Sequence, residues 1–183
     1  ATKDKINANQ EIIDLIQALG CKRGDKYTSK ELRYEKIIIM TDADVDGAHI
    51  STLIMSFFYS EYPKLIEDGH LYLAVPPLYK LSKGPKVFYA TDDKDKDKLI
   101  ISEFKNSQNV DISRFKGLGE MMPAQLKETT MSPEHRVLLK VEINKNDKKK
   151  TEKCVDALMG KKPELRFKFI QENSKKVAVD KVL

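Results

Sequence analysis

Lys36-Ile37-Ile38-Ile39-Met40-Thr41, followed at once by Asp42-Ala43-Asp44-Val45-Asp46-Gly47, is the stretch on which the fold turns. The first six residues form a β-branched, apolar run of strand length. The next six place three carboxylates at alternate positions directly behind it. A helix is expected from Ala48 to about Ile66, broken or kinked at Pro63 and ended by Glu67-Asp68-Gly69. A strand, an acidic loop and a helix, in that order, open an α/β unit.

On the N-terminal side, Asn7 is expected to cap a helix through Leu19, with Ile12, Ile13, Leu15, Ile16 and Leu19 as its apolar stripe. Gly20 stands where a C-cap glycine belongs. Cys21 to Lys30 is polar and reads as a loop. On the other side, Leu71 to Val75, Leu78 to Leu81, Val87 to Ala90, Val110 to Phe115 and Arg136 to Ile143 read as strands. Pro76-Pro77 and Gly84-Pro85 separate the first three. Helices are expected from Asp92 to about Lys105, from Pro123 to Lys127, and in the tail over Thr151 to Met159 and Pro163 to Gln171. Alternating strands and helices predict an α/β domain with a largely parallel sheet flanked by helices, followed by a helical tail.

The 183 residues suit one domain, or one domain plus an appendage, and 40% hydrophobic residues suffice for a core. Cys21 and Cys154 cannot form a disulfide framework, so a reduced cytosolic setting is expected. Nothing approaches the roughly 18 apolar residues of a membrane span, and the charged N-terminus lacks a signal peptide's apolar region. A first residue of alanine rather than methionine suggests an upstream segment. The net charge of +5 points only mildly to polyanions; a solvated surface is the plain reading. The alternating charges of Asp92 to Lys98 suit an exposed helix start, and Asn144 to Lys150 a lysine-rich loop or helix start.

The acidic loop carries the chemistry. If its backbone stays extended, Asp42, Asp44 and Asp46 point to one side. Three crowded anions call for a divalent cation, and oxygen ligands favour Mg²⁺ or Ca²⁺. An EF-hand also begins D-x-D-x-D-G, but its bidentate glutamate would fall at Leu53, and the incoming segment is a strand. The competing structural reading is a helix cap, a role that suits Asp46. His49, just past the loop, is either a phosphate contact or a solvent-facing residue. A second distinctive stretch, Arg114-Phe115-Lys116-Gly117-Leu118-Gly119-Glu120, offers close backbone approach beside basic residues. A tight strand-to-helix turn explains the same glycines. No dinucleotide fingerprint or Walker A loop is present. The seven tyrosines fall mostly at apolar or helical positions and read as packing residues.

Ile39 through Ile50 resembles the acidic motif of the Toprim domain in the B subunits of bacterial type IIA topoisomerases. Pro76-Pro77-Leu78-Tyr79-Lys80 resembles a second motif of that family. Phe115 to Met121 with Gln125 to Met131 is similar to a third, and Gly160 to Arg166 is similar to the end of those proteins. Phe115, the Gly69-His70-Leu71-Tyr72 stretch and the tail favour the decatenating branch over the gyrase branch. The resemblance implies a Rossmann-like Toprim fold over residues 1–131 and a tail over 132–183 that packs on it and on a partner subunit. It implies ATP-dependent double-strand breakage, passage and rejoining of DNA, with relaxation and decatenation as outcomes. By motif, Asp42 and Asp44 would be catalytic metal ligands with Asp46 in support. His49 and Arg136 would contact DNA, with Lys116 as a further candidate. The implied cofactor is Mg²⁺, with Mn²⁺ or Ca²⁺ as substitutes. ATP would bind only an N-terminal region that this sequence lacks. The implied partners are double-stranded DNA and an A subunit that supplies the cleaving tyrosine, in an A2B2 heterotetramer at the bacterial nucleoid.

One departure bears on the site. The family's metal set includes a glutamate in an earlier E-G-D-S-A motif, which is absent here, and Glu11 lies in an unrelated context. Met122, where asparagine is expected, is a smaller departure. The sequence is therefore expected to be a C-terminal piece, inactive alone. Alternatives are a gyrase-type B subunit, another Toprim enzyme such as a primase or nuclease, and a non-catalytic basic module that binds DNA or protein.

Overall fold

The computed structural model describes residues 6–105 and 109–174. Two compact units divide the chain, and they do not follow chain order. One takes Ala1–Glu35, Ser56–Gly69 and Glu142–Leu183; the other takes Lys36–Met55 and His70–Val141.

The first unit begins with helix α1, Gln10–Leu19. Its cap is Asn9, whose side chain accepts from the Ile12 N–H at 2.9 Å, and not Asn7, which lies in a helical turn upstream. Either asparagine could satisfy a helix start chemically; only Asn9 has the extended backbone that a cap needs. Gly20 ends the helix in the left-handed conformation, as the sequence predicts. Of the expected stripe, Leu19 is buried, Ile12, Leu15 and Ile16 are half-buried, and Ile13 is exposed.

The long helix α2, Val45–Glu61, begins in the second unit and ends in the first. Pro63 splits the expected single helix. Tyr62 leaves the helical conformation, and α3, Pro63–Glu67, restarts with proline at its first position. Phe57, Phe58, Tyr62, Leu65 and Ile66 are buried here, with Cys21 and Tyr27 from the loop after α1. Tyr62 is fully enclosed, packs edge-on to Tyr27 at 6.4 Å, and donates to the Cys21 carbonyl at 3.5 Å.

The second unit holds two three-stranded sheets. In the first, β1 (Ile37–Ile39) runs parallel to β2 (Leu71–Val75), which pairs antiparallel with β6 (Val137–Lys140). In the second, β3 (Tyr79–Lys83) lies between β4 (Lys86–Ala90) and β5 (Asp111–Arg114), antiparallel to both. The fold is α/β, but the first sheet is mixed and the second antiparallel, rather than one largely parallel sheet. The physical reason is connection length. Among the described strands, β1 and β2 are the one adjacent pair joined directly through helices, the crossover that parallel neighbours require. The two-residue turn Gly84-Pro85 between β3 and β4 forces the antiparallel hairpin.

Tyr79, Leu81, Ala90 and Phe104 form the core beneath the second sheet, with Phe88, Leu99 and Ile100 against it. Helix α4, Asp93–Ser102, supplies Leu99 and Ile100. The Tyr79 hydroxyl donates to Asp93 Oδ1 at 2.9 Å, and Lys96 stands over its ring at 4.8 Å. The Lys96 ammonium and the Tyr79 hydroxyl together hold the Asp93 carboxyl below its usual range.

Helix α5, Pro123–Leu126, runs into a π-helical turn over Lys127–Met131. In the first unit's tail, α6 spans Lys148–Met159 and α7 spans Pro163–Asn173. The rest of the expected tail lies outside the described residues. No described helix is long and apolar enough to cross a membrane.

Candidate metal and nucleic-acid site

Parallel pairing of β1 with β2 sends both strands out of the sheet on the same side. The acidic loop follows β1 there, and Pro76-Pro77 follows β2. This is the edge at which α/β sheets bind ligands.

The backbone does not stay extended through the loop. Helix α2 begins at Val45, three residues earlier than expected, so Asp46 sits in its first turn rather than in line with Asp42 and Asp44. The cause is Asp44. Its Oδ1 accepts from the Gly47 N–H at 2.7 Å, and its carbonyl accepts from the Ala48 N–H at 3.0 Å. Asp44 is thus the helix cap, the role expected of Asp46, and its carboxylate also meets the positive end of the helix dipole. Gly47 has no room for a side chain: a Cβ there would collide with the Asp42 carbonyl oxygen.

Asp42 reaches a different partner. Its Oδ1 accepts from the Leu118 N–H at 2.7 Å, across 76 positions of chain. This bond joins the acidic loop to the glycine loop, which the sequence places far apart. The glycine loop is itself pinned. Phe115 is buried and its N–H donates to the Leu78 carbonyl at 2.8 Å. The Lys116 N–H donates to Glu120 Oε2 at 2.7 Å, closing a 3₁₀ turn over Leu118–Glu120. Between the loops lies a notch lined by Ala43, Pro76, Pro77, Phe115 and Leu118, with room for about one water molecule.

Asp42, Asp44, Asp46, His49 and Lys116 are all exposed, and Arg136 is half-buried just ahead of β6. Asp42 and Asp44 each engage one carboxylate oxygen with a backbone N–H and keep the other oxygen. An all-oxygen donor set fits a hard divalent cation. Among the described residues, however, no three histidine, cysteine or acidic side chains converge as a complete metal cage. Sequence reasoning missed the Leu118 amide as a partner of Asp42. The glycines flanking Leu118 were the only signal, and they were equally explained by phosphate contact or a turn.

Comparison with known proteins bears on both loops. The Toprim domain model matches residues 2–76, and the model of the DNA gyrase B subunit carboxyl terminus matches residues 107–171. The B subunit of DNA topoisomerase 4 from Bartonella bacilliformis is 57% identical over 95% of this chain, and that from Caulobacter vibrioides 53% identical over 98%. The B subunit of DNA gyrase from Clostridium acetobutylicum is 49% identical over 95%. The matches cover 25%, 26% and 27% of those proteins, so the chain spans about a quarter of the curated relatives' length.

Proposed function

Since the chain belongs to the family of type II DNA topoisomerase B subunits, we propose that it forms the metal-binding DNA-cleavage module of such a protein, of the topoisomerase IV type. The higher identity to the topoisomerase 4 relatives than to the gyrase relative supports that branch. The observation that carries the reading is the Asp42–Leu118 bond. It assembles two family motifs at the open edge of the parallel strand pair.

Asp42 and Asp44 would hold the cation through the oxygens they do not engage with backbone N–H groups, and Asp46 would support them through water. When bound, a divalent cation of the Mg²⁺ kind supplies charge neutralisation at the scissile phosphate and the leaving 3′-oxygen. His49, exposed just past the carboxylates, and Arg136 would neutralise flanking phosphates, with the exposed Lys116 of the glycine loop as a further contact. An A-type partner would supply the tyrosine nucleophile, ATP would act through a region outside this sequence, and the assembly would be A2B2. Residues 1–131 would act as the Toprim domain, and the tail from 132 would dock the partner.

The test reconstitutes the full-length protein with its A-type partner and ATP, then measures Mg²⁺-dependent relaxation and decatenation for wild type and Asp44→Asn. Loss of both activities with the fold intact is expected. One observation favours a second reading, in which the carboxylates only brace the loop: Asp44 caps a helix. That reading requires unchanged activity in Asp44→Asn.

A further inference from the structure

We propose that Gly117 and the Leu118 amide are positioning elements for Asp42, so that the glycine loop serves to aim a carboxylate. The inference rests on the reading of Asp42 as a metal ligand. Two independent features carry it. The Leu118 N–H is the first free donor of a 3₁₀ turn, and it is directed onto Asp42 Oδ1 at 2.7 Å. In addition, a Cβ on Gly117 would stand 2.9 Å from Asp42 Cγ and 3.0 and 3.1 Å from its two carboxylate oxygens.

The second feature explains why residue 117 is glycine. Its backbone is extended, with φ −164° and ψ 173°, a conformation any residue adopts. Glycine is therefore not required by backbone strain or by the turn. It is required because the Asp42 carboxylate occupies the space of a side chain. Gly119, two residues on, has nothing within 4 Å of its Cβ position, so the loop contains its own control. The anchoring of Phe115 on Leu78 and of the Lys116 N–H on Glu120 fixes both features against Asp42. A methyl group at 117 must displace the carboxylate, because the loop is held by further bonds, whereas the Asp42 side chain turns once its bond to Leu118 breaks. Partners that orient a metal ligand without touching the metal typically alter affinity by about 10–100-fold.

The experiment uses the full-length protein and Mn²⁺, whose free concentration is read by electron paramagnetic resonance. Gly117→Ala is expected to weaken Mn²⁺ binding by about tenfold or more, and Gly119→Ala to leave it unchanged. Melting without metal gives a second readout. Gly117→Ala should lower Tm in the wild-type background and not in Asp42→Ala, where the obstructing carboxylate is gone. Mn²⁺ affinity unchanged in Gly117→Ala, with Asp42→Ala weakened, overturns this inference alone. An equal loss of Tm in both backgrounds also overturns it, because the effect would not run through Asp42. Wild-type Mn²⁺ binding by Asp42→Ala overturns the metal reading itself, and the inference with it.

Discussion

Asp44 has two separable roles, and the choice of substitution separates them. Asparagine caps helices about as well as aspartate, whereas alanine loses the bond to the Gly47 N–H. Asp44→Asn is therefore expected to unfold like wild type while losing Mg²⁺-dependent strand cleavage in the full assembly. Asp44→Ala should lose cleavage and about 1 kcal/mol of stability as well, which urea unfolding would register. Tyr27 and Tyr62 supply a prediction in pH. Burial pushes both phenols up to about 12, with the Asp68 carboxylate adding to the effect at Tyr27. Because the folded value lies above the unfolded one near 10, their contribution is full below pH 10 and is lost as pH rises towards 12. Absorbance at alkaline pH should show these two tyrosines ionising late, together with unfolding. At this scale the acidic loop was legible in the sequence, because its three carboxylates fall within five residues. The identity of the cap was not, because Asp44 and Asp46 differ only in where the helix begins.

At the scale of elements, helices with strong local signals formed where the sequence predicts them. Asp92 accepts from the Asp95 N–H at 2.8 Å, and Asp95 Oδ2 accepts from the N–H of Thr91, the residue before the cap, at 3.0 Å. These two bonds satisfy backbone donors at and just before the start of the highly charged helix. Asp92→Ala should cost about 1 kcal/mol, and Asp92→Asn much less, as measured by denaturant midpoint. Pro63 likewise acts locally, by ending one helix and starting the next. The sheets behave differently. The apolar run Val137-Leu138-Leu139 suits a strand, yet nothing in Val137–Lys140 specifies antiparallel pairing with β2. Residue pairs such as Leu73 and Leu139 are 66 positions apart, so no local pattern encodes their meeting.

For the whole molecule, the prediction concerns activity in the reconstituted complex. The full-length protein with an A-type partner, ATP and Mg²⁺ should relax supercoils and unlink catenated circles without introducing negative supercoils, as gel assays would show. Removing divalent metal by chelation should abolish both reactions and leave the fold unchanged, as read by circular dichroism. A complex that introduced negative supercoils would move the assignment to the gyrase branch. Leu165, Phe167, Phe169 and Ile170 of α7 are exposed, an apolar set consistent with the proposed docking role of the tail.

The family, the α/β class, the acidic loop and the punctuation by Gly20 and Pro63 are legible in the chain's own order of residues. These are carried by contiguous motifs and by local backbone preferences. Tertiary structure alone decided that one sheet is mixed and the other antiparallel, that Asp44 caps α2, and that Gly117 and the Leu118 amide close on Asp42. The last contact joins residues 76 positions apart, and its requirement for glycine comes from a carboxylate brought in by the fold. Local propensity is encoded over a few residues; the space available to a side chain is set by whatever the rest of the chain packs beside it.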